Sequence, residues 1–333
     1  MNRLWQNLVG SARAARAWLP TTVDRRVRFI AWASLVSQTL IVGTGGAVRL
    51  TGSGLGCPTW PRCTADSFVA TPEMGIHGIV EFGNRLLTFV LVIIAIAAFA
   101  FVVRMRRERP ELLRLSVALG LGIPAQAIIG GITVLTNLDP WIVGLHFVVS
   151  TALVALATVF VFRVYRGPAS RSLAVPAPVR MLGLATAVGA WVTVLVGIVV
   201  TGSGPHAGDG GAARNGLDSE LLQHVHSWPA YITAGLSLAL LVVASRLGLA
   251  RVQRAAVGLL LVEGAQIVIG VAQARLGLPE ILVGAHMVLA CVLIAAVTRV
   301  LLEMRTTRAE DDALAAATAE PELVARPAER DPR

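Results

Sequence analysis

Residues 77–103 read HGIVEFGNRLLTFVLVIIAIAAFAFVV. Crossing a hydrocarbon core as a helix takes about 20 apolar residues, and this run is long enough, so its reading decides the fold class. It also opens on polar groups. His77, Glu81, Asn84 and Thr88 are spaced four, three and four apart and share one helix face, with Arg85 beside them. Ionisable groups at such a place are costly unless paired or used, so that face is expected to look into a cavity between helices.

Seven more apolar runs lie at 29–47, 115–135, 141–163, 181–201, 221–245, 255–274 and 280–302. With 55% hydrophobic and 15% charged residues over 333 positions, the chain departs from the composition of soluble domains and fits a polytopic membrane protein. A basic and polar segment, 1–28, precedes the first run, which is read as a retained helix and not a cleaved signal. The basic residues are all arginine. They gather before the first span (Arg3, Arg13, Arg16, Arg25, Arg26, Arg28) and between spans two and three (Arg104, Arg106, Arg107, Arg109, Arg114). They gather again between spans four and five (Arg163, Arg166, Arg171, Arg180) and between six and seven (Arg246, Arg251, Arg254). The opposite loops hold Arg49, Arg62, Arg214 and Arg275. The excess predicts that both termini are cytoplasmic. It also explains the net charge of +9 by topology and lipid headgroups, with no patch for nucleic acid.

The chain repeats itself. WIVGLHFV at 141–148 matches ILVGAHMV at 281–288, and AQAIIGG at 125–131 matches AQIVIGV at 265–271, both at an offset of 140. TGSG at 51–54 recurs at 201–204, which sets EFGNR at 81–85 against QHVHS at 223–227. The expected architecture is all-α: eight transmembrane helices as two tandem, pseudo-symmetric four-helix bundles. The first bundle spans 29–163, a cytoplasmic linker 164–180, the second bundle 181–302 and a disordered cytoplasmic tail 303–333.

Of six histidines, His146 and His286 sit at equivalent repeat positions in V-G-x-H. His224 and His226 are about 200° apart on their helix, so one of them can face a cavity. Repeat alignment sets His226 against Asn84 and selects it, leaving His224 at the interface. Two imidazoles on neighbouring helices suit a six-coordinate haem, whereas zinc needs further ligands. Packing histidines or a proton path remain the alternatives on residues alone. Cys57 and Cys63, in GLGCPTWPRC on the outer side, are read as a disulfide rather than two free thiols, shaping a lid over the first cavity. Cys291 is read as packing.

Taken together, AVRLTGSGLGCPTWPRC, EFGNR and the two V-G-x-H motifs resemble the bacterial haem A synthases, in an actinobacterial-like form. The resemblance covers about 29–302. It implies an enzyme of the bacterial cell membrane that oxidises the C8 methyl of haem O to a formyl group, through hydroxylated intermediates, for terminal oxidases. It further implies haem B in the second bundle, ligated by His226 and His286, and the substrate haem in the first, beside His146. Glu81 would lie next to the reacting methyl, and the family's disulfide falls on Cys57 and Cys63. The implied partners are haem O, an external electron-transfer partner, and haem O synthase or terminal-oxidase assembly proteins. Many members carry Glu-x-x-His-Arg where this chain has Glu81, Asn84 and Arg85. The second ligand of the substrate haem is thus absent, and His77, two turns or about 10 Å away along the helix, does not replace it. A non-catalytic membrane dihaem cytochrome is the competing expectation.

Overall fold

The computed structural model describes residues 17–307. Eight long helices account for the eight apolar runs: α1 (Arg25–Leu50), α2 (Gly75–Val102), α3 (Pro110–Leu135), α4 (Pro140–Arg166), α5 (Ala177–Ser203), α6 (Ser219–Arg246), α7 (Ala250–Arg275) and α8 (Glu280–Glu303). Each is long and apolar enough to span a bilayer. Helices are required there, because hydrocarbon offers no partner for backbone N–H and C=O groups. The outward faces are apolar as well: Leu261 and Val268 of α7 are 70% and 69% exposed, which water would penalise and lipid does not. The molecule is therefore an all-α, multi-pass membrane protein.

Starts of helices are written locally. Asp24, Asp139 and Asp218 each turn a carboxylate onto the first free N–H groups of α1, α4 and α6, satisfying donors that have no partner inside the helix. Pro140 occupies the first turn of α4, where its missing N–H costs nothing.

Helices α1 to α4 close a ring of neighbours (α1–α2, α2–α3, α3–α4, α1–α4), and α5 to α8 close a second ring of the same connectivity. The rings meet where α8 packs on α1 and α4 and where α4 meets α5. Val42, Val154 and Cys291 form a small core across that seam. The α3–α4 and α7–α8 turns repeat in backbone detail: Leu138 and Leu278 both have positive φ, at 60° and 61°. Their N–H groups bond the carbonyls of Thr133 and Gln273 at 2.7 and 2.8 Å. The offset of 140 read from the sequence thus holds for the conformation of these turns.

The apolar cores lie at one end. In the first ring Val27, Ile30, Ala98, Val102, Met105, Leu112, Phe160 and Val164 fill the arginine-bearing end. In the second ring Val179, Ala187, Leu240, Ala244, Val252, Ala256, Val297 and Val300 do the same. The other end, where every histidine lies, is lined by small and polar residues.

One feature was not expected. Strand β1 (Ala169–Leu173), inside the expected linker, pairs antiparallel with β2 (Arg305–Thr307), placed by the sequence in the tail. Because α4 and α8 are neighbours, the extended segments that leave them run side by side and pair their backbones. Arg166 reaches Glu303 at 3.2 Å beside them. The remainder of the expected tail, 308–333, and residues 1–16 lie outside the described residues.

Candidate functional site

The histidine end of the second ring holds a matched pair. His226 enters from α6 and His286 from α8, with ring centroids 6.3 Å apart and planes at 76°. Glycines of the other two helices make the room: a methyl placed on Gly197 of α5 would lie 2.9 Å from Cε1 of His226, and one on Gly270 of α7 would lie 3.2 Å from Cε1 of His286. Such approaches admit no side chain at the glycine unless the imidazole moves. His224 is exposed and turned away from this pair.

In the first ring the arrangement recurs by halves. His146 of α4 stands against Gly130 of α3, again 3.2 Å from a hypothetical methyl. Gln126 donates to the His146 carbonyl at 3.1 Å, and Gln266 donates to the His286 carbonyl at 3.3 Å. These glutamines hold the helix turn that carries each imidazole. Asn84 of α2 lies against Gly45 of α1, with its Nδ2 3.9 Å from where a methyl would stand. Its Oδ1 is buried without a partner.

The protein's own hydrogen bonds sort the histidines. His77 is exposed, and its Nδ1 meets Ser53 Oγ at 2.9 Å; the expected cavity-facing role is replaced by a tie to the first loop. His206 meets the Leu278 carbonyl at 2.9 Å and fastens the α5–α6 loop to the α7–α8 turn. By contrast, the Nδ1 atoms of His146, His226 and His286 are all buried and none makes a hydrogen bond.

Glu81 is placed differently from a free cavity acid. It is buried, its Oε2 accepts the Cys57 N–H at 2.6 Å, and its Oε1 accepts from Arg85 Nε at 3.1 Å and Nη2 at 2.5 Å. Arg85 also donates to the carbonyls of Cys57, Thr59 and Arg62 at 2.9, 3.1 and 3.2 Å. Glu81 and Arg85 thus form an i,i+4 ion pair on α2, and the pair clasps the loop closed by the Cys57–Cys63 disulfide. From the same loop Trp60 lies on Gly131 of α3, next to the glycine that faces His146. That contact carried no signal in the sequence beyond the GG pair at 130–131.

Among the described residues no group of three or more His, Cys, Asp or Glu could hold a metal ion. Haem iron needs no such group, since the porphyrin supplies four nitrogens and the protein one or two. In the second ring two imidazoles with centroids 6.3 Å apart, each with a buried Nδ1 that has no hydrogen bond, offer the two nitrogen donors such a group takes. The unpartnered imidazoles and the glycines beside them fit the same group.

Fold and site define a membrane protein with eight spans whose donor sets suit haem, two facing imidazoles in one half and a single one in the other. Residues 28–298 match the family model COX15-CtaA, described as cytochrome oxidase assembly protein, and the chain belongs to this family. It is 29% identical over 183 residues to the haem A synthase of Lysinibacillus sphaericus strain C3-41, covering 53% of this chain and 58% of that protein. It is 30% identical over 153 residues to the haem A synthases of Bacillus cereus strain AH187 and Bacillus anthracis strain CDC 684, covering 44% of this chain and 49% of each. The chain thus matches about half the length of these relatives.

Proposed function

We propose that this protein is a haem A synthase, which oxidises the C8 methyl of haem O to the formyl of haem A through hydroxylated intermediates. The observation that carries the reading is the facing pair His226–His286 at 6.3 Å, set against a single His146 in the same setting of the other half. We assign haem B to the pair, with His226 and His286 as its two ligands, and the substrate haem to His146. The division of labour follows the two rings, 29–163 for conversion and 181–302 for holding haem. When bound, haem B supplies one-electron transfer to and from an external partner.

The chain's own residues do the rest. Gly130, Gly197 and Gly270 let the three imidazoles lie close against the neighbouring helices. Asn84 stands where the family pattern noted above has histidine, so the first ring would offer the substrate haem His146 and no second imidazole. Glu81 is proposed beside the reacting methyl, where a fixed carboxylate stabilises the positive charge that builds as the methyl loses electrons, or accepts its proton. Arg85 and the Cys57 amide hold that carboxylate still, so the same contacts position the acid and fasten the loop. Haem O and an electron-transfer protein are the proposed partners, with haem O synthase or oxidase assembly proteins supplying or receiving the pigment. The proposed location is the bacterial cell membrane with both termini cytoplasmic, as the arginine distribution favours.

A second reading has an observation in its favour: the complete engagement of Glu81 in fastening the loop suits a dihaem cytochrome that only carries electrons. Expression with a haem O source, followed by extraction and separation of the pigments, decides between them. The expected result is haem A with haem B; haem B without haem A would identify the cytochrome.

A further inference from the structure

One ionisable group in the second ring has no task in the reaction above. Glu263 lies in the middle of α7 and is 6% exposed. Its Oε1 accepts a hydrogen bond from Ser237 Oγ of α6 at 2.8 Å, with Ser237 itself fully buried. Its Oε2 is buried with no partner. A carboxyl group at such a depth is expensive and in membrane proteins marks a function by default. The repeat gives no structural reason for it, since the equivalent position of the first ring is Ile123, an ordinary buried apolar residue.

Its position relative to the histidine pair is fixed by the helix. Gly270, which faces His286, is seven residues along α7, or about 10 Å, and Gln266, which bonds the His286 carbonyl, lies between them on the same face. Charges at that separation in a medium of low dielectric still interact appreciably. Few other ionisable groups compete on the helices packed against α7. On α6 these are Glu220, His224 and Tyr231, all exposed, and Arg246 at the far end; His226 belongs to the pair. On α8, Glu280 is exposed at its start, Cys291 packs with Val42 and Val154 against the first ring, Arg299 and Glu303 lie at the arginine end, and His286 belongs to the pair. On α7 itself the others are Arg251, Arg254 and Arg275, near its ends.

We infer that Glu263 is a proton-binding site coupled to the electron held in the second ring. The inference rests on the haem assignment made above. Glu263 takes up one proton on Oε2 when that site gains one electron from a one-electron donor, and it returns the proton when the electron leaves. Carboxylate becomes carboxylic acid, so the charge inside the bundle is the same before and after. The Ser237 hydroxyl stays on Oε1 throughout, which leaves Oε2 as the atom that gains and loses the proton.

The test is a redox titration of the purified holoprotein, with a chemical reductant and mediators as the donor, at a series of pH values. The wild-type reduction equilibrium is expected to shift by up to tenfold per pH unit over part of the range, and Glu263→Gln, which keeps the Ser237 hydrogen bond but cannot titrate, is expected to lose the shift. Ser237→Ala is expected to move the pH at which the shift occurs without removing it. Redox-difference infrared spectra of the wild type should gain a carboxylic C=O band on reduction, absent from Glu263→Gln and displaced in Glu263→Asp. If Glu263→Gln loads no haem, the wild-type and Glu263→Asp spectra carry the decision. A wild-type equilibrium independent of pH, or the same dependence in Glu263→Gln, would overturn the inference while leaving the haem assignment intact. A wild type without second-ring haem would overturn the assignment itself.

Discussion

Replacing His286 with alanine is expected to empty the second ring of haem. Each imidazole of the pair stands against a glycine and neither has a hydrogen bond through its buried Nδ1, and alanine at 286 leaves His226 as the one imidazole of the pair. Removing even a supporting group around a metal ligand costs about 10–100-fold in affinity, and removing the ligand should cost at least that. The haem B to protein ratio of His286→Ala, measured on purified protein, should therefore fall at least tenfold. Haem A production should stop with it, while the first ring keeps its fold because its core lies at the opposite end of separate helices. An unchanged haem B content would remove His286 from the site.

Glu81→Gln is the second large effect. The substitution keeps the size of the side chain and an acceptor for Arg85, but it removes the negative charge and turns one of the two acceptor atoms into a donor, which opposes the Cys57 N–H. Loss of one electrostatic contact to a transition state typically costs about 10²–10³ in rate, so haem A output should fall by that factor or more. Haem B content should be unchanged. Because Glu81 also clasps the disulfide loop, Arg85→Gln separates the two roles: it weakens the clasp but leaves the carboxylate. Haem A output of Arg85→Gln well above that of Glu81→Gln assigns the larger part to the charge; equal losses would assign it to the loop.

Much of this was legible in the sequence because the membrane makes composition decisive. Eight apolar runs became eight helices, with ends set by Asp24, Asp139, Asp218 and the Leu138 and Leu278 turns. Helical spacing and the repeat favour His226 over His224, and the structure sets its ring 6.3 Å from that of His286, edge to face. Other features depend on where loops travel, which local pattern does not encode. His77 shares a helix face with Glu81 by spacing, yet Ser53, twenty-four residues earlier, takes its ring. The engagement of Glu81 by the Cys57 amide and the seat of Trp60 on Gly131 are likewise set by the path of the disulfide loop. The β1–β2 pair arises from the neighbouring exits of α4 and α8, far apart in the chain. Glu263 is the opposite case: it lies within an apolar run, and the repeat does not mark it, because its counterpart is Ile123.

If, as proposed, one ring holds a haem and the other changes one, His146→Ala purified after expression with a haem O source should carry one haem B per chain, with the low-spin electron paramagnetic resonance signal of two imidazole ligands, and neither haem O nor haem A. Haem A still present, or haem B lost, would show the proposal to be wrong.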